Sequence, residues 1–271
     1  MQKNMPPNSV YLWGGHFLFL GQLNDITEHM HHALQVIINR SEDFRIRIDG
    51  NTIKCGGVII GPDLRHQLLS SSDSQVHLFI DRETAVARAI TRQHLEKENV
   101  KILNGALLQR LRGCIDASGN FLGSCAEADD VYGKIVSVLD GYAGPSEEAV
   151  DPRILAVMNL MQGKQLFHKR TIAELARHAC LSESRLTHLF SKQIGIPLRR
   201  YSLWLRVLTA MRLIAEGKQS LTEAAYSAGF SDSAHLSRTY RSMFGLTISS
   251  CLKISSFVQV NSCFSLYPSI N

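Results

Sequence analysis

One arginine, in a short polar stretch of helical period, has a side chain suited to hydrogen bonding with the edge of a nucleic-acid base. Arg238 lies where a helical period of about 100° per residue turns its side chain away from the apolar positions Leu236 and Tyr240. A guanidinium fork matches the paired acceptors of guanine in the DNA major groove. Its neighbours on the same face are short or basic: Ala234, His235, Ser237 and Arg241. This stretch predicts a base-reading surface.

A second face of the same kind lies 50 residues earlier in the chain. His188 occupies the position equivalent to Arg238, and it offers a shorter, pH-dependent contact. The residues around it are again small, polar or basic: Ser184, Arg185, Thr187 and Ser191. Between the two faces, Arg199 and Arg200 have long cationic side chains that suit phosphate contacts.

Three histidines in the N-terminal half could hold a divalent metal ion. His29 and His31 have the i, i+2 spacing that places two imidazoles on one face of a strand, and His66, possibly with His77, could complete the set. The alternative is that these histidines line a pocket or the surface. That alternative is favoured, so the sequence predicts no metal and no cofactor, with His29, His31 and His66 as the weaker ligand candidates.

Capping boxes mark the helices that would position the two polar faces. Thr171-x-x-Glu174 and Ser220-x-x-Glu223 are 49 residues apart, and each precedes an apolar stripe of helical period. Ser182 and Asp232 are the N-caps expected for the helices that follow. Gly229 suits the second turn, and Gly195 and Gly245 the two helix ends. The pattern predicts two helix-turn-helix motifs.

A single long helix is predicted between these motifs, from Pro197 to Gly217. Its apolar stripe is formed by Tyr201, Trp204, Leu208, Met211 and Ala215. About 19 residues at roughly 1.5 Å each span about 28 Å, which approaches the roughly 34 Å between successive major-groove faces. One monomer could therefore read two adjacent grooves.

Charge is divided unequally along the 271 residues. Residues 1–150 contain 14 Lys and Arg against 18 Asp and Glu, a net −4; residues 151–271 contain 15 against 6, a net +9. The basic half contains both motifs, as phosphate binding requires. The sequence has no signal peptide and no apolar run long enough for a membrane span, so we expect the cytoplasm, with the six cysteines as free thiols.

The N-terminal half has short strands followed by helices. The predicted strands are Phe17–Leu20, Leu34–Ile38, Phe44–Ile48, Val58–Ile60 and Val76–Ile80, which suggest a small barrel or double sheet. Three apolar stripes follow between Arg82 and Asp140. These stripes pack either on the sheet or against a second subunit, and both alternatives stay open.

The paired motifs carry a family resemblance. The run Gly229-Phe-Ser-Asp232 and the ending Leu236-Ser-Arg238-x-Tyr240-x-x-x-Phe244-Gly245 resemble the DNA-binding domain of AraC/XylS transcription regulators, over about residues 152–247. The departure comes at Ile248, Cys251 and Leu252, where that family usually has Pro, Tyr and Arg. We therefore expect the Ser-rich stretch from Ile248 to Asn271 to be poorly ordered or loosely packed.

The N-terminal half resembles the cupin-like domain of the same family, although the glutamate that normally follows the His-x-His is missing. The expected fold is α+β in two domains: a small antiparallel β-barrel with helices at 1–145, then an all-α double helix-turn-helix with a long linker helix at 151–248. Gly141 to Asp151 reads as the linker, and 249–271 is an atypical tail.

The resemblance implies a sequence-specific regulator of transcription that binds promoter DNA and responds to a small-molecule effector. It also implies a homodimer, contact with RNA polymerase, no membrane and no catalysis. The alternative from another class is a cupin-type metalloenzyme fused to a DNA-targeting module. Intact metal ligands would favour that alternative, and the missing glutamate argues against it.

Overall fold

The computed structural model describes residues 8–13, 15–23, 26–70, 74–116, 122–140, 150–162, 171–217 and 219–260. The chain forms two compact units. Among the described residues, the first contains those from 8 to 140 and from 237 to 260, and the second contains those from 150 to 236. The predicted linker lies almost wholly outside the described residues, since 141–149 are not among them.

Ten strands in the described residues form two sheets in the first unit. They are β1 Asn8–Leu12, β2 His16–Gly21, β3 Leu34–Asn39, β4 Phe44–Ile48, β5 Asn51–Cys55, β6 Gly57–Ile60, β7 His66–Ser70, β8 Gln75–Ile80, β9 Val100–Ile102 and β10 Ser255–Val260. The larger sheet has the order β10-β1-β2-β8-β3-β6-β9, and the smaller has β5-β4-β7. The pairing is antiparallel except between β1 and β10.

Side-chain burial differs between β3 of the larger sheet and β4 of the smaller sheet. Every residue of β3 is buried, because β3 lies between β8 and β6 in the larger sheet. In β4 the residues Phe44, Ile46 and Ile48 are buried while Arg45 and Arg47 are more exposed, as expected for a sheet with one face toward solvent. The five predicted strands are confirmed, and the α+β architecture is confirmed as two sheets rather than one closed barrel.

Three helices cover the larger sheet: α1 Ala85–His94, α2 Gly105–Asp116 and α3 Cys125–Asp140. Ile90 of α1, Leu111 of α2 and Ile135 of α3 belong to the same buried cluster as Val36 and Leu78 of the sheet. Within this chain, the three apolar stripes therefore pack on the sheet.

The described residues between 150 and 254 form helices and their connections. Its helices are α4 Pro152–Gln162, α5 Ile172–His178, α6 Glu183–Ile194, α7 Leu198–Ala215, α8 Leu221–Ser227, α9 Ser233–Phe244 and α10 Ile248–Ile254. The linker helix α7 is continuous over 18 residues, or about 27 Å, as predicted. Its stripe is shifted, since Leu205 and Val207 are buried where Leu208 is only half-buried.

The expectation of a poorly ordered tail is wrong for the backbone of residues 248–260, which forms a helix and a strand. The Thr247 hydroxyl accepts a hydrogen bond from the Ser250 amide at 3.0 Å and so starts α10, whose Ile248 is 2% exposed. Strand β10 then pairs with β1, whose other edge is taken by β2. Backbone pairing along an open sheet edge orders a segment that has no helical stripe, and sequence periodicity alone did not show this.

No helix within the described residues has both the length and the apolar character needed to span a membrane.

Candidate functional site

The first helix-turn-helix is built by α5, a tight turn and α6. Both halves of the capping box form: the Thr171 hydroxyl accepts from the Glu174 amide at 3.2 Å, and the Glu174 carboxylate accepts from the Thr171 amide at 2.6 Å. The Ser182 hydroxyl caps α6 by accepting a hydrogen bond from the Arg185 amide at 3.2 Å. Gly195 ends α6 in the left-handed conformation. The predicted caps of this motif are confirmed.

The second motif repeats the construction with α8 and α9. The Ser220 hydroxyl accepts from the Glu223 amide at 3.3 Å, and the Glu223 carboxylate accepts from the Ser220 amide at 2.8 Å. The Asp232 carboxylate accepts a hydrogen bond from the His235 amide at 2.6 Å, which starts α9. Gly245 follows α9 with a φ of 74°. The sequence repeat is therefore a structural repeat.

The two turns have equivalent backbone hydrogen bonds. In the first, the Leu181 amide donates to the Ala176 carbonyl at 2.9 Å; in the second, Phe230 donates to Ala225 at 2.9 Å. Gly229 has a φ of 84°, as predicted for a turn glycine. The equivalent position in the first motif is Cys180, a non-glycine residue with a φ of 53°. That cysteine is an exposed free thiol.

The polar face of α6 is exposed at Ser184, Arg185 and His188. Thr187 and Ser191 are half-buried, and the Thr187 hydroxyl donates to the Glu183 carbonyl at 2.9 Å within its own helix. The face therefore presents Arg185 and His188 to solvent.

The polar face of α9 is exposed at Ala234, Arg238 and Arg241. His235 and Ser237 are half-buried, and His235 Nδ1 lies 3.1 Å from the Ser231 hydroxyl in the turn. Arg238 and Arg241 form no ion pair within the described part of the chain. Their guanidinium groups are available to an external acceptor.

Arginines on α7 divide into two kinds. Arg199 and Arg200 are exposed, as a phosphate contact requires. Arg206 is half-buried and donates from Nη1 to the Gly229 carbonyl at 3.2 Å, and burial lowers its pKa. Arg206 therefore supports the second turn from the linker helix.

Comparison with known proteins agrees with this geometry. A family model described as a helix-turn-helix domain matches residues 175–253. The regulator ArgR of Pseudomonas aeruginosa is 29% identical over 96 residues, which cover 35% of this chain and 29% of that protein. The arabinose operon regulatory protein of Escherichia coli is 34% identical over 74 residues, which cover 27% and 25%. The matches thus span less than a third of each relative.

The helix-turn-helix domain of this chain is therefore similar to those of transcription regulators. The resemblance drawn from the Gly229–Asp232 run and the α9 ending is confirmed.

Solved structures extend the likeness to the fold of both halves. An apo variant of ToxT from Vibrio cholerae superposes with a TM-score of 0.61 at 11% identity, covering 89% of this chain and 98% of that one. ToxT bound to an unsaturated fatty acid gives a TM-score of 0.54 at 11% identity, covering 94% and 98%. At such identity these likenesses concern the fold.

The first unit also brings together the three histidines considered as ligands. One ring nitrogen from each of His29, His31 and His66 lies within 4.8 Å of the other two. All three are buried, and no other such group of His, Cys, Asp or Glu forms among the described residues. Burial lowers the pKa of His29 well below its usual value, that of His31 to about 3 and that of His66 to about 4. The rings are therefore neutral at pH 7.

A glutamine beside this cluster did not stand out in the sequence. Gln35 is 2% exposed, its Oε1 lies 3.1 Å from Nε2 of His31, and its Nε2 lies 3.2 Å from Nδ1 of His77. Burial lowers the pKa of His77 to about 3. The one available signal was a polar residue inside the apolar run Leu34–Ile38.

The C-terminal end of α9 reaches the same part of the first unit. The Thr27 amide and hydroxyl both donate to the Gly245 carbonyl, at 2.9 and 2.8 Å. Phe244 packs edge-on against Phe17 and Phe79, with ring centroids 5.6 and 5.8 Å apart. A contact across 218 residues has no local sequence signal.

Proposed function

We propose that this protein is a sequence-specific DNA-binding regulator of transcription that responds to a small-molecule effector. The observation that carries the proposal is the duplicated helix-turn-helix, in which α6 and α9 each present an exposed basic face. A second helix of this kind is suited to the major groove, and the excess of cations in residues 151–271 supplies affinity for phosphate. The relatives are named as transcription regulators.

The proposal assigns roles to the two predicted domains. Residues 151–248 would bind promoter DNA, and residues 1–145 would sense the effector and form a homodimer. The fold likeness to ToxT with a bound fatty acid supports a small-molecule role for the first half. The protein would act in the cytoplasm on transcription by RNA polymerase. No catalytic step belongs to this proposal.

Base readout would be strongest in the second motif. Arg238 is the long donor at the centre of the α9 face, whereas His188 holds that place on α6 with a shorter side chain. Ser184, Arg185, Thr187, His188 and Ser191 would contact one groove. Ala234, His235, Ser237, Arg238 and Arg241 would contact the next, about 10 to 10.5 bp away.

The test is selection of bound sites from a random DNA pool, followed by binding measurements on the selected site. Arg238→Ala should cost roughly 1 to 3 kcal/mol and relax preference at one or two adjacent base pairs. Arg199→Ala is the matched control: it should weaken all sequences alike and lower the salt slope by about one. A single protected groove per monomer, or unchanged base preference in Arg238→Ala, contradicts the assignment.

A further inference from the structure

The outward side of the smaller sheet carries three cations. Alternate residues of β4 are buried, and Arg45 and Arg47 lie between them on the opposite side of the strand. Lys54 of β5 pairs directly with Arg45. Arg45 and Lys54 are exposed, and Arg47 is half-buried. Positive charge is therefore gathered on one surface of an N-terminal half whose net charge is −4 over residues 1–150.

The strand register surrounds these cations with uncharged polar side chains. Arg47 pairs with Thr52 on one side and Gln67 on the other, and Arg45 pairs with Ser70. Arg47 also donates from Nη1 to Gln67 Oε1 at 3.2 Å. We call this surface the cationic face; it is formed by Arg45, Arg47, Thr52, Lys54, Gln67 and Ser70.

No carboxylate neutralises the exposed pair of cations on this face. Arg45 and Lys54 form no ion pair with the residues that the structure describes. Side chains directly opposite on neighbouring antiparallel strands have Cβ atoms about 4.5 to 5.5 Å apart, and like charges at that spacing destabilise the sheet. An anion placed between Arg45 and Lys54 would convert this repulsion into two attractions.

The form of the cationic face favours an extended polyanion. A small ligand usually binds in a concave site that buries most of its surface, whereas Arg45 and Lys54 are exposed on the outside of a sheet. A protein partner usually contacts an apolar core, and the exposed large apolar side chains of the described residues, Ile102 and Tyr226, lie outside this face. Arginine and lysine with serine, threonine and glutamine are the side chains that contact nucleic-acid phosphates.

We propose that the cationic face binds phosphates of double-stranded DNA, and so adds a sequence-independent contact from the N-terminal half. This inference rests on the proposed function, because it concerns the same DNA. Arg45 and Arg47 are about 6.8 Å apart along β4, and Lys54 lies on a strand about 4.8 Å away. Since the duplex carries a charge about every 1.7 Å along its axis, each of the three cations can meet a different phosphate.

The test is the salt dependence of DNA binding by the full-length protein and by the double variant Arg45→Gln/Lys54→Gln. Each phosphate contact contributes about 0.9 to the slope of log K against log salt concentration. Loss of two contacts should lower that slope by about 1.8, so raising the salt from about 50 to about 200 mM should weaken the variant roughly 10-fold less than the wild type. If the double variant does not fold, Arg45→Gln alone should lower the slope by about one.

Lys97→Gln/Lys101→Gln is the matched control. Both lysines are exposed in the N-terminal half, and neither belongs to the smaller sheet, so this variant loses the same charge elsewhere. Its slope should equal that of the wild type. Equal slopes in the wild type and Arg45→Gln/Lys54→Gln overturn the proposal, and so do equal losses in the two double variants, which would be an effect of net charge alone.

Each protein is measured on the selected duplex and on an unrelated duplex of the same length. The Arg45→Gln/Lys54→Gln variant should lose the same slope on both, and its preference for the selected duplex should equal that of the wild type. A wild type without any preference counts against the proposed function, while the slopes on the unrelated duplex still test the cationic face. Loss of binding to immobilised polyglutamate with an unchanged DNA slope would assign the face to an acidic protein and overturn the proposal.

Discussion

Replacing Gly245 with alanine tests whether the end of α9 is held against Thr27. Gly245 has a φ of 74°, where an alanine costs about 1 to 2 kcal/mol. A Cβ there would lie 2.5 Å from Ile26 Cγ2 and 2.7 Å from His29 Nδ1, and it would also overlap the Thr27 carbonyl. Overpacking against atoms of this kind costs about 1 to 3 kcal/mol more. Gly245→Ala should therefore lower the free energy of unfolding by roughly 2 to 5 kcal/mol.

Gly50→Ala is the control for the backbone cost. Gly50 lies in the same unit with a φ of 83°, and its Cβ would meet nothing within 4 Å. The assay is urea unfolding followed by fluorescence of Trp13, in a Trp204→Phe background, because the chain has two tryptophans and Trp13 is the one in the first unit. Equal losses in the two variants would show that Gly245 is not closely packed, and would refute the reasoning.

Three further changes test other parts of the fold. Cys180→Gly should stabilise the chain by about 0.5 to 1 kcal/mol in urea unfolding, because glycine removes the cost of a φ of 53°; a loss of stability would contradict this. Arg206→Ala should cost about 1.5 to 3 kcal/mol through the lost bond to Gly229, while exposed Arg199→Ala should stay within about 0.5 kcal/mol; equal effects would exclude the structural role of Arg206. A chain ending at Ile254 lacks β10 and should melt lower and self-associate in light scattering; unchanged melting and a monodisperse sample would show that β10 contributes nothing.

Local patterns predicted the helix-turn-helix pair well because its signals are local. Capping at Thr171 and Ser220 depends on residues three positions away, and the turn glycine Gly229 is required by one backbone conformation. Helical arithmetic also placed Arg238 on the exposed side. It could not show that Ser191 is half-buried, because the angle around a helix does not specify which neighbours cover it.

The histidine cluster was only partly predictable. The i, i+2 spacing indicated that His29 and His31 share a face, but the pairing with His66 depends on how two distant segments meet. The contacts of Gln35 with His31 and His77 were missed as well, because spacing does not show which buried polar side chains meet. Strand β10 was missed for the same reason, since its partner Asn8 is 247 residues away (255 − 8).

That separation has a consequence for how the protein is made. Strand β1 is synthesised 247 residues before its neighbour β10, so at about 5 to 20 residues per second the outer edge of β1 waits roughly 12 to 50 s for its partner. Throughout that time the edge of Asn8–Leu12 offers unpaired amides and carbonyls to any other extended chain nearby. On a polysome, each neighbouring nascent chain has the same unpaired β1 edge and could pair with it. The crowded interval of translation, rather than the finished fold, is therefore when this sheet is most exposed to mispairing.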